Sequence, residues 1–260
     1  MRSTVSNVKN IALNAFREAV RDRVLYNLVV FVLMITAAAV FLGELTAGQE
    51  IRTIVNLGLS AMLLFGAFIS IFVGVGLVSK EIEKRTLYTI FSKPIGRGEF
   101  LIGKYLGLCL TILVNILVMG LGVSFALIYV GGGGLAASIW GAIALIFLEL
   151  TIVTAVAIVF STFSSPSLSA LLTFLVFIIG HFSASLKEFA ENLGSQSAKI
   201  FFNAVYYLLP NLSHFSFITN SAHGDFPPGN MLIAGALYAL CYVSVLLAIS
   251  ILIFRRRNLK

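Results

Sequence analysis

Apolar positions in this chain fall into long unbroken runs, and polar positions into short islands between them. A helix crossing the roughly 30 Å hydrocarbon core of a bilayer takes about 20 apolar residues. Six runs fit that need: residues 24–42, 57–78, 100–130, 136–162, 168–185 and 231–254. Ahead of them, Val8, Ile11, Ala12, Ala15, Phe16, Ala19 and Val20 recur at helical spacing, with Lys9, Arg17, Arg21, Asp22 and Arg23 mostly off that face. The spacing predicts a basic amphipathic helix over residues 1–23, suited to the headgroup region; a plain solvated helix is the alternative. The polar stretch is too long for a signal peptide, and no small-residue cleavage site follows the first apolar run.

Small residues mark the joints. Gly66, Ser70 and Gly74 repeat every four residues in the second run, which gives it one face that another helix can approach closely. Four glycines at 131–134 interrupt the chain after the third run. Pro166, in a Ser-Ser-Pro-Ser turn, is placed to open the fifth helix. The segment 186–230 carries apolar and aromatic residues from Ile200 to Leu209 and again at Phe215, Phe217, Ile218 and Phe226. About ten apolar residues are too few to span, so short re-entrant or interfacial helices are expected there.

Composition agrees with lipid as the main solvent. Charged residues make up 11% of the 260, and 59% are hydrophobic; a soluble domain carries about a quarter charged residues. Mean hydropathy is +1.00. The net charge of +7 follows side rather than substrate. With the N-terminus in the cytoplasm and six alternating spans, fifteen Lys and Arg fall inside, and only Arg52, Lys187 and Lys199 fall outside. That asymmetry predicts both termini cytoplasmic in a cell (inner) membrane, with no need for a nucleic-acid partner. Cys109 and Cys241 both sit in apolar runs and read as small buried hydrophobes.

The densest polar island is residues 80–104, with six of the 18 Lys and Arg and three of the 11 Asp and Glu. Its first part fits a short helix with Ile82, Leu87, Ile90 and Phe91 on its apolar side, ended by Pro94. Such a helix across the ends of two spans can transmit a push; a charged loop that only fixes topology is the alternative. The island contains Glu81, Glu83, Thr86, Leu87, then Ser92, Pro94, Arg97, Glu99, Phe100, Gly103 and Lys104. This pattern resembles the permease signature of the type-2 ABC exporter family, with Arg85 where many members have glycine. With the N-terminal helix, the six spans and the aromatic outer segment, the resemblance covers nearly the whole chain, and it extends to permeases of the nitrous-oxide-reductase-maturation type.

The resemblance implies an all-α polytopic membrane protein, one permease domain over residues 1–260 with a cytoplasmic coupling segment at 80–99. It implies a dimer, with a second copy or a related permease, bound to two separate ABC ATPase subunits that hold ATP and magnesium. The coupling residues it points to are Glu81, Glu83, Arg85, Thr86, Leu87, Pro94 and Arg97. No catalytic residue and no metal ligand are assigned. Residues 98–104 match the spacing of a P-loop, but Tyr105 stands where a Ser or Thr is required and no strand precedes it.

Glu149 stands mid-run, where a charged carboxylate costs roughly 2.5 kcal/mol or more, so it should be protonated, paired or facing water. Asn115, at similar depth in the third run, is the expected partner. Two readings stand: a pathway or gating group, or a hydrogen-bonded packing residue. His181, His214 and His223 fall on the outer side at irregular spacing, which reads as scattered polar residues rather than a metal site. The motifs of intramembrane and serine hydrolases are missing. Function therefore divides between an exporter permease and a non-transport component that passes ATP-driven motion to an extracytoplasmic partner through residues 186–230.

Overall fold

In hydrocarbon a backbone must satisfy its own hydrogen bonds, and a helix does so within one segment. Among the described residues every regular element is helical. The computed structural model describes residues 2–20, 30–31, 34–35, 37–38, 41, 49–83, 96–183, 185, 188 and 196–256. In chain order these form α1 (Arg2–Ala19), α2 (Glu50–Glu83), α3 (Arg97–Tyr129), α4 (Leu135–Ser161), α5 (Pro166–His181), α6 (Gln196–Leu208), a 3-10 turn (Leu212–Phe215), α7 (Ile218–Ala222) and α8 (Gly229–Arg256).

Four of these are long and apolar enough to cross a membrane: α2 over Glu50–Gly76, α3, α4 and α8. α5 is apolar but only 16 residues long, about 24 Å. Most of the expected first span, 24–42, lies outside the described residues. Of its described positions, Phe31 is buried, with its ring edge-on to Phe65 at 5.3 Å.

α4 is the central post. Its most apolar stretch is 78% buried, against 22% for α8, and it packs against α2, α3, α5 and α8. The small face of α2 lies against it. Gly66 is seated under Leu150, Gly74 meets Ala157, and Ser70 turns its hydroxyl back to the Gly66 carbonyl at 2.8 Å. A larger side chain at Gly66 would have to displace the Leu150 methyl.

The connections are built from local chemistry. At the end of α3, Gly131 takes φ +86°, a region that costs most residues about 1–2 kcal/mol. The Gly131 N–H donates to the Ile128 carbonyl and the Gly132 N–H to that of Leu127, the paired bonds of a Schellman motif. At the other end, Pro166 occupies the first turn of α5 behind an extended Ser165. The end of the bundle carrying residues 97 and 254–256 is called the basic end here, and the other the glycine-turn end.

At the glycine-turn end, the chain between α6 and α8 folds back into the bundle. Leu212 and Phe215 are fully buried. Leu212 lies beside Gly180, Phe215 beside Gly235, and Pro227 on Gly141. Gly141 lies six residues into α4, so the segment reaches about 9 Å along that helix.

Candidate functional site

The signature residues that begin α3 form a joint at the basic end. Arg97 opens the helix. Its Nη1 donates to the carbonyls of Phe254 at 3.0 Å and Arg255 at 2.9 Å, the last turn of α8. Terminal carbonyls lack partners within their own helix and carry the negative end of its dipole, so a guanidinium there is favourable. Glu99, two residues on, takes the Asn7 amide of α1 at 3.0 Å and the Gly96 N–H at 3.4 Å, closing the start of α3. Phe100 is buried and stacks on Phe254 at 6.1 Å.

α1 lies along the same stretch of α3. Gly103 receives Val8 and Ile11, and Gly107 receives Ala12 and Ala15. A Cβ at Gly107 would stand 2.5 Å from the Ala12 carbonyl oxygen and 2.6 Å from the Ala15 methyl. Lys104 is buried, pairs with Glu18 of α1 at 3.3 Å and lies 5.8 Å from the Phe100 ring centre. Arg97, Glu99, Phe100, Gly103 and Lys104 thus bind the first and last described helices to the start of α3. Residues 98–104 are helical rather than a glycine-rich loop between a strand and a helix, so they do not form a phosphate loop.

The other residues singled out from the sequence fare differently. Glu81 and Glu83 lie in the last turn of α2. Arg85, Thr86, Leu87 and Pro94, with the body of the coupling segment, lie outside the described residues, as do 186–187 and 189–195 of the outer segment.

The structure corrects the pairing expected within the membrane. Glu149 is buried, and its Oε1 lies 3.3 Å from Nδ1 of His181. Asn115 donates instead to the Thr111 carbonyl one turn back, at 2.6 Å, and its buried Oδ1 has no partner among the described residues. The reason is the shortness of α5. It ends about 24 Å from its start, which brings His181 level with Glu149 rather than out beyond the span. A carboxyl and an imidazole together can share a proton, and they fasten α4 to α5. Spacing alone could not reveal a partner 32 residues away.

The remaining histidines go elsewhere. His214 meets the Asn211 amide at 3.1 Å and His223 the Thr219 carbonyl at 2.8 Å. Asn211 is the hub of a polar cluster. Its side chain takes hydroxyls from Ser183 and Ser213, its amide donates to Tyr206, and its backbone N–H donates to Tyr238 at 2.9 Å. His214, Phe215, Met231, Gly235 and Tyr238 line a cavity of about 290 Å³ beside it.

A family model described as an ABC-2 family transporter protein matches residues 9–259 of the chain. No curated protein matches it.

Proposed function

This chain belongs to the ABC-2 transporter family, and from that premise we propose that it is the permease subunit of an ATP-driven exporter. It works as a dimer, with a second copy or a related permease, and binds separate ATPase subunits at the basic end. The joint around Arg97 carries the reading. The segment from Glu83 to Arg97 connects α2 directly to a knot that holds α1, α3 and α8 together. A push on that segment is delivered to three helices at once. Glu81, Glu83, Arg85, Thr86, Leu87 and Pro94 supply the contacts with the ATPase, and Arg97 fixes the frame they act on. In this reading ATP and magnesium are held by the ATPase partner.

Affinity purification of the tagged chain from mild detergent tests this. An ATPase subunit should come down in equal stoichiometry and be lost on the double charge reversal Glu81→Lys, Glu83→Lys. Retention of the ATPase with full activity in that variant overturns the coupling assignment.

One observation favours a second reading. α6 presents Ile200, Phe201, Tyr207 and Leu208 with more than 60% of each exposed, a ridge on which an extracytoplasmic protein could be moved rather than a solute exported. The likeness to maturation-type permeases belongs to this reading. Capture of a periplasmic protein that depends on Phe201 and Tyr207 supports it; stimulation of ATPase activity by a lipid or small molecule supports export.

A further inference from the structure

α1 and α3 touch where Gly103 and Gly107 let the backbones meet, and their surfaces part to one side. There Val5, Val8, Ala12 and Leu13 face Leu106 and Leu110 across a groove of about 500 Å³. It runs about 12 Å from Val5 to Leu13 by helix rise. Its walls are apolar yet uncovered: Val5 is 70% exposed and Leu106 45%. Lys9 is the single charged residue in the lining. No carboxylate pairs with it among the described residues, whereas Glu18, the acidic residue of α1, is taken by Lys104.

We propose that this groove holds one acyl chain of an anionic phospholipid from the leaflet at the basic end, with the lipid phosphate on Lys9. Amphipathic helices with basic faces sit at that depth. The charge pattern selects the occupant. A second copy packed by two-fold symmetry would set the same patch against itself, a lysine-bearing lining with no carboxylate in it to meet the lysine. A phosphate meets the lysine with opposite charge, and a hydrocarbon chain covers the leucines. This inference goes beyond transport and needs no ATPase partner.

The test places the full chain in nanodiscs of mixed phosphatidylglycerol and phosphatidylcholine, transfers it to mild detergent and weighs the lipid that stays bound. Phosphatidylglycerol should be enriched over phosphatidylcholine on the unaltered chain. Lys9→Gln should cut that enrichment about fivefold, the worth of one lysine at an anionic surface, while Arg17→Gln, outside the groove, leaves it unchanged. Leu110→Trp, or Leu106→Trp where the first does not fold, should fill the groove and release both lipids. Equal losses from Lys9→Gln and Arg17→Gln would reduce the site to diffuse surface charge and overturn the proposal. So would a disulfide between two copies carrying Val5→Cys in bilayers, which would make the groove a contact between protomers.

Discussion

Glu149 and His181 show what a single polar pair does inside hydrocarbon. The carboxyl is buried and the imidazole is its partner, so truncating either leaves the other without one. Interhelical polar pairs in membranes are worth about 0.6 kcal/mol on average and up to about 1.7. A cycle of Glu149→Leu, His181→Phe and the double variant, followed by thermal unfolding in detergent, should give a coupling energy in that range. Glu149→Gln, which keeps an acceptor for the ring, should lose less than Glu149→Leu. Strictly additive losses would show that the pair is not coupled. Arg97 makes a second prediction at this scale. One nitrogen serves two carbonyls of α8, and hydrogen bonds to charged groups are worth about 1.5–3 kcal/mol each. Arg97→Ala should expose the last turn of α8, read as faster amide exchange at residues 253–256. Arg97→Lys should recover only part of the protection: its ammonium has donors enough for both carbonyls, but its side chain is shorter.

Among the elements, the contact of α1 with α3 is the most exacting. At Gly107 a side chain would meet backbone and the root of Ala15, neither of which can swing aside. Gly107→Val should free α1, read as new protease cleavage within residues 2–19. Cleavage no faster than in the unaltered chain would count against a tight seat. Much at this scale was legible beforehand. Long apolar runs announce helices, Gly66 and Gly74 announce the face that α4 covers, and Pro166 announces the start of α5. The docking of α1 was less so. Its stripe of Val8, Ile11, Ala12 and Ala15 predicts an apolar face but not whether lipid or protein receives it. The signal that decides is the pair Gly103 and Gly107, one turn apart on α3. The partner of Glu149 was hidden because a short α5 changes depths without changing the pattern of apolar residues. The uses of Arg97 and Lys104 were hidden because a charged residue in an island shows its sign but not its partner.

At the scale of the whole molecule, charge and packing speak to orientation. Gly133 lies in the turn where an added Cβ would meet nothing within 4 Å, so Gly133→Cys is tolerated. In a chain with Cys109 and Cys241 replaced, a membrane-impermeant maleimide added outside should label that cysteine in intact cells and spare one at Arg256→Cys. The reverse labelling would invert the topology drawn from the distribution of lysine and arginine.

The bond from Arg97 to the end of α8 also sets an order of events during synthesis. The carbonyls it seeks lie 157 and 158 residues further along the chain, so the ribosome must add that much more chain before the guanidinium can close on them. Until then the start of α3 lacks the hold of α8. A nascent or prematurely terminated chain would reach the membrane with its joint at the basic end open, and quality-control proteases that recognise loose helix ends would find it there. A stop codon after residue 250, which removes both carbonyls, should therefore shorten the protein's lifetime in the cell, as a pulse-chase would read it.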